Sequence, residues 1–389
     1  MTLKFQHATP AFRTFCGPDA LSALPRELDR LGASRAVVFC DPAMLRYVDV
    51  LGRVESALGE RLAGRFDGIR EHSPVATVEA GRLSLEQARA DAVIVLGGGS
   101  AVVTARAATI LLAEQRDVRE LCTRRETDGR LISPRLLAPK LPQWIVPSTP
   151  ITAYAKAGSA VRDPTTDERL ALYDPKTRAQ GIFFDPAVAL TAPMTLAQSS
   201  ALNAFAMAVE GLQSDVDDPL AEALLTHALR MLATWLPRLA SAPDSAEPRL
   251  RLMLAALLCG QGSDYVGGGL AQGLSHATGP RSSVSNGVVE AMLLPHAMRF
   301  NAPVTGERLA RVADALDGTP PDASPADRAI AAVQRVLAEA GLPVRLRDVG
   351  VVDTVLPQVA DDAMDDWSLT QGPRRPGRDD LMDLLQAAW

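Results

Sequence analysis

The string DAVIVLGGGSAVVTARAATILLAE, residues 91–114, constrains the fold of this chain more than any other stretch. Its first part is a continuous apolar, β-branched run, suited to a strand buried on both faces. Gly97, Gly98 and Gly99 follow, then Ser100 and a long helical pattern. A buried strand that turns straight into a helix opens a βαβ unit, and its crossover must return to a parallel neighbour. The rest of the first half agrees. LSALPRELDRLG has apolar residues at helical spacing and stops at Gly32; RAVVFCD is a compact strand run; VEAGRLSLEQARA is helical; QWIVPST is a further strand and turn. VRDPTTDERLALYDPKT and FFDPAVALTAP are rich in Pro and Asp, which predicts turns and short β pieces.

From Met194 onward LAEALLTHALRMLATWLPRLA, RLRLMLAALLCGQG, GVVEAMLLPHAMRFN and PADRAIAAVQRVLAEAGLP read as amphipathic or fully apolar helices. The 389 residues suit two domains. We expect an α/β nucleotide-binding domain with a parallel sheet over 1–190 and an all-helical substrate domain over 191–389.

A composition of 47% hydrophobic and 22% charged residues, with mean hydropathy +0.05, is that of a globular protein. The formal charge of −6 argues against nucleic acid as a partner, because phosphate binding needs clustered Lys and Arg. No run approaches a membrane span and the N-terminus lacks a signal-peptide pattern, so we expect a cytoplasmic protein with no membrane partner. Cys16, Cys40, Cys122 and Cys259 stand far apart with no metal-ligand spacing, and we expect all four to be buried thiols.

At the glycine turn the backbone can approach an anion closely, and the helix behind it offers N–H donors and a positive dipole end, so Gly97, Gly98, Gly99 and Ser100 are candidates to hold a pyrophosphate. The alternative is a strand-to-helix turn that merely needs positive φ, and GGGS is not the GxGxxG fingerprint. Asp41 ends the strand run RAVVFCD, where a carboxylate can accept from ribose hydroxyls; alternatively it caps the turn before Pro42. Such a carboxylate would repel a 2′-phosphate and so favours NAD(H) over NADP(H).

The order of motifs VVFCD, LGGGS, VPST, FFDPAVALTAP, NAFAMAVEG, GLSHATG and VVEAMLLPHAMRFN resembles the iron-containing alcohol dehydrogenase superfamily across nearly the whole chain. The resemblance implies that family's dehydroquinate synthase-like fold. FDGIREHSPV, Asn203, AALLCGQG and RRPGRDDLMDLLQAAW are most similar to the maleylacetate reductase branch. What this implies is an oxidoreductase: an NAD(P)H-dependent reductase of a carbonyl or activated alkene, at least a homodimer, acting on a small molecule in a specialised biosynthetic pathway. A lyase, cyclase or isomerase on the same scaffold, or a catalytically silent homologue, is the alternative.

The departures carry as much information. In ALNAFAMAVEG a helix places Asn203, Met207 and Glu210 on one face. Metal-dependent relatives supply an Asp and three His at the positions of Asn203, Met207, Gln272 and Asn286. Amides and a thioether are poor ligands for Fe²⁺ or Zn²⁺, so we expect no metal and a neutral, hydrogen-bonding substrate pocket instead. GGGSxxDxAK of the family appears as GGGSAVVTAR, with Val103 and Arg106; PTTAGTGSE appears as PSTPITAYA, which keeps Thr149 and Thr152 and has Ser148. We take Ser148, Thr149 and Thr152 as cofactor-binding hydroxyls. The candidate catalytic residues are His276 in GLSHATG as proton donor, Tyr154 in TAYAK and His72 in REHSPV. Their alternatives are a hydrogen-bonded core histidine, a packed ring and a turn residue.

Overall fold

The β-branched runs of the first half assemble into one parallel sheet. In a computed structural model, which describes residues 5–126, 131–166, 168–319 and 322–389, the chain divides into two units. One comprises Pro10–Thr149 and Ala153–Ala192; the other comprises Met1–Thr9, Pro150–Thr152 and Pro193–Trp389.

The first unit carries strands β1 (Arg13–Cys16), β2 (Ala36–Cys40), β3 (Leu62–Phe66), β4 (Ala92–Gly97), β5 (Arg124–Arg125), β6 (Leu131–Ile132), β7 (Gln143–Pro147), β8 (Gly158–Asp163), β9 (Glu168–Tyr173) and β10 (Gly181–Phe184). Six of them form a sheet in the order β1-β10-β7-β4-β2-β3, every neighbouring pair parallel. Helices α1 (Leu24–Arg30), α2 (Val48–Leu58), α3 (Val75–Gln87), α4 (Gly99–Glu114), α5 (Val118–Leu121) and α6 (Pro186–Ala189) complete the unit. Leu24, Leu28, Val38, Ile94, Trp144 and Phe183 belong to its apolar core. β2, β4 and β7 are buried along their whole length, as the apolar runs AVVFC, AVIVLG and WIVP require. The Pro- and Asp-rich stretch folds as an antiparallel hairpin of β8 and β9.

The second unit holds α7 (Met194–Leu212), α8 (Pro219–Ser241), α9 (Ala246–Val266), α10 (Leu270–Thr278), α11 (Asn286–Ala315), α12 (Pro325–Glu339), α13 (Leu356–Ala363) and α14 (Arg378–Ala388), and no strand among the described residues. Asp218 caps α8 by accepting from the backbone N–H groups of Leu220 and Ala221, with Pro219 at the first helical position. The N-terminal residues belong to this unit: His7 Nδ1 lies 2.7 Å from Asp218 and its ring stacks on Tyr265.

The expected parallel α/β half and helical half are both present. The thiols need correction. Cys40 and Cys259 are buried, but Cys16 is exposed and Cys122 only partly covered. Cys16 closes β1, a sheet-edge strand with one side toward solvent, and its sequence gives no sign of that. Among the described residues no helix is long and apolar enough to cross a membrane.

Candidate active site

The strand order fixes where a ligand fits on the sheet. From β2 the chain moves outward to β3, then returns to β4 on the other side of β2 and continues to β7. The carboxyl ends of β2 and β4 therefore flank the point where the connections part, which is where open α/β sheets bind ligands. Asp41 and Gly97 occupy those two ends. The Asp41 N–H donates to the Leu96 carbonyl at 2.9 Å, and a Cβ on Gly97 would lie 2.6 Å from Asp41 Cβ. Gly97 also has φ +145°, so both space and backbone demand glycine.

Gly98 is the N-cap of α4, Gly99 its first residue and Ser100 its second, and no side chain among the described residues caps this helix. Its leading N–H groups are the kind that bind phosphate oxygens. Thr149 and Ser148 border the turn: a Cβ on Gly98 would lie 3.2 Å from Thr149 Oγ1 and 4.0 Å from Ser148 Oγ, and the Ser148 N–H donates to the Gly97 carbonyl at 3.0 Å. Asp41 Oδ1 accepts from the Ala43 N–H at 2.9 Å, so the turn-capping reading holds for one carboxylate oxygen. Thr152 is buried and falls with the helical unit.

Arg106, at the position of the family's lysine, is fully buried; its guanidinium donates to the carbonyls of Gly158 at 2.7 Å and Ala153 at 2.9 Å. Arg178 donates to the Ala155 carbonyl at 2.8 Å. These arginines pin the segment that follows the PST turn. Tyr154 lies in it, 1% exposed, with its ring edge-on to Phe184 at 5.6 Å. His72 sits at φ +62° on the turn before α3, its side chain 59% exposed, 3.8 Å from Glu71. Neighbouring Ser73 makes the buried contacts there, donating to the Ser100 carbonyl and accepting from Thr104 Oγ1.

In the helical unit, the face of α7 that carries Asn203, Met207 and Glu210 meets three other helices. Asn203 Nδ2 donates to Oε2 of Glu290, a fully buried residue on α11. Met207 Sδ accepts from Ser263 Oγ on α9 at 3.2 Å. Glu210 accepts from the Ala271 and Gln272 N–H groups at 2.7 and 3.3 Å and so caps α10. Burial pushes the Glu210 carboxyl up from 4.5 to about 7, against the lowering by those two N–H groups.

α10 presents Gln272 and His276 one turn apart. Gln272 Oε1 accepts from Ser368 Oγ at 3.1 Å, and His276 Nδ1 lies 2.9 Å from Asp366 Oδ2. Asn286 opens α11 beside Gly279, where a Cβ would fall 2.2 Å from Asn286 Oδ1. A Cβ on Gly268 would fall 2.0 Å from Gln272 Oε1. Glycines thus make room for two of the polar heads.

Glu290, Asp366 and Ser368 are missing from the sequence-derived set. Glu290 follows Asn286 by four residues on an apolar helix, a spacing that signals a shared face. Asp366 and Ser368 lie 90 and 96 residues from their partners, beyond any local pattern.

The donor set at the four positions does not fit iron. Two amides, already engaged by Glu290 and Ser368, a thioether held by a hydroxyl, and a third amide offer no set of hard anionic or imidazole ligands.

Comparison with known proteins follows the same division. Residues 10–186 match the model "Iron-containing alcohol dehydrogenase" and residues 197–389 the model "Fe-containing alcohol dehydrogenase family, C-terminal". The chain belongs to the iron-containing alcohol dehydrogenase family. It is an oxidoreductase, in general class a nicotinamide-dependent reductase. It is 28% identical to Maleylacetate reductase 1 of Cupriavidus pinatubonensis, over 96% of this chain and 93% of that protein. It is 29% identical to Lactaldehyde reductase of Escherichia coli K12, over 96% of this chain and 97% of that protein. Among solved structures, a 1,3-propanediol oxidoreductase superposes with TM-score 0.89 at 23% identity, covering 99% of this chain and all of that one, a likeness of fold.

Proposed function

We propose that this protein reduces a carbonyl or activated alkene in a small polar substrate with NAD(H) in preference to NADP(H), and does so without a metal. The observation that carries the reading is the uncapped glycine turn beside Asp41 at the switch point of the sheet. Gly97, Gly98, Gly99, Ser100, Ser148 and Thr149 would hold the pyrophosphate, and Asp41 the ribose. Bound there, the nicotinamide supplies hydride.

The chain's own residues then stabilise the developing negative oxygen and deliver the proton. Asn203, Gln272 and Asn286 each carry an amide NH₂ that can donate to a polar substrate where other family members use a metal. His276 is the proton donor, and Tyr154 and His72 are set aside for packing and exposure.

Nucleotide titration followed by fluorescence or thermal shift tests the reading. We expect saturable binding, tighter for NADH than for NADPH, and NADH oxidation by at least one member of a carbonyl panel. No binding of either nucleotide would sink the reductase. Tight binding with no oxidation would favour a lyase, cyclase or isomerase. Asn203→Ala, Gln272→Ala and Asn286→Ala should each weaken substrate by about tenfold, a lost hydrogen bond's worth of ~1.4 kcal/mol.

A further inference from the structure

Gln272 and His276 of α10 are both held by one short turn near the C-terminus. Asp366 Oδ2 meets His276 Nδ1 at 2.9 Å, and Asp366 Oδ1 accepts from the Ser368 N–H at 2.8 Å. Ser368 Oγ in turn donates to Gln272 Oε1 at 3.1 Å. The His276 and Asp366 side chains are only 13% and 11% exposed. The turn is also seated closely, since a Cβ on Gly273 of α10 would lie 2.1 Å from Leu369 Cδ1.

We propose that residues 366–368 form a clasp that sets the chemistry of α10, with Asp366 the positioning residue that fixes the tautomer of His276. An ionised carboxylate only accepts, so it places the hydrogen on Nδ1 and leaves Nε2 as the working nitrogen. Protonated His276 then breaks its Nε2–H bond as the substrate oxygen gains O–H, and the ring returns to the neutral Nδ1–H form. Solvent restores the proton. Ser368 does the matching job on Gln272: it occupies the amide oxygen and turns the NH₂ outward as a donor.

The inference rests on His276 being the proton donor, but its test needs no turnover. Long-range ¹H–¹⁵N correlation spectra of the full-length, ¹⁵N-histidine-labelled protein, at alkaline pH, report the tautomer of each neutral imidazole. The chain has five histidines, and His276→Gln identifies the resonance. We expect the Nδ1–H form in the wild type. Asp366→Asn, whose amide oxygen can keep the Ser368 N–H while its NH₂ faces the ring, should move the proton to Nε2. A wild-type Nε2–H form overturns the clasp, and needs no variant. So does an unchanged tautomer in Asp366→Asn whose His7 signals match the wild type. An Nδ1–H wild type that oxidises no NADH upholds the clasp and fails the reductase.

Discussion

The chain contains two triple-glycine turns, and they do opposite things. Gly97–Gly98–Gly99 precedes α4 and leaves the helix N-terminus without a side-chain cap among the described residues. Gly267–Gly268–Gly269 precedes α10, and there the Glu210 carboxylate takes the leading N–H groups. A Cβ on Gly269 would lie 2.3 Å from Glu210 Cδ. At the second turn the N–H groups are already taken by a side chain of the same unit. Glycines and a following helix make room for an anion in both places; which anion comes is decided by what the neighbouring helix supplies.

Closing the first turn should have the largest effect. Gly97→Val puts a branched side chain at φ +145° against Asp41, and should abolish nucleotide-induced thermal stabilisation while costing about 3 kcal/mol in chemical denaturation. Retained NADH binding would mean that the cradle lies elsewhere.

The second turn is broken by pH. The folded-state pKa of Glu210 lies above 4.5, at about 7, so between these values the native protein holds a proton that the unfolded chain releases. Stability should therefore fall as pH rises through that window, by on the order of 3 kcal/mol from this group. Glu210→Gln should flatten that part of the stability profile measured by denaturant unfolding. An identical profile in the variant would show that the carboxyl is ionised throughout.

Smaller effects sharpen the first turn. Asp41→Asn keeps the cap on Ala43 and should narrow the NADH preference over NADPH by about tenfold, ~1.4 kcal/mol, in paired titrations. His72→Ala, on an exposed turn, should leave kcat within about twofold and stability within ~0.5 kcal/mol. A larger loss of kcat would restore His72 to the chemistry.

Both turns are plain in the sequence, yet only the first reads as a site, because its helix follows a strand with a hydrophobic signature. β2, β4 and β7 are legible as continuous apolar runs. β1 and β3 are not: RTFC and LAGRF mix exposed and covered positions at or next to the sheet edges, and nothing local distinguishes them from loop. In the helical unit, the odd residues Asn203, Met207, Gln272 and Asn286 could be picked out by position. Of their partners only Glu290 has a local signal, four residues after Asn286; Ser263 and Ser368 reach them only through tertiary packing. Tyr154 illustrates the same gap. Nothing local in TAYAK signals that its ring lies buried and edge-on to Phe184.

We propose an open nucleotide cradle at the first glycine turn and, in the helical unit, a set of amides that binds no metal. Calorimetric titration of Fe²⁺ and Zn²⁺ into chelator-treated protein with NADH bound tests it most directly. We predict no saturable heat for either ion. One-to-one binding that disappears in Asn203→Ala or Glu290→Gln would contradict it, and would return the pocket to metal chemistry.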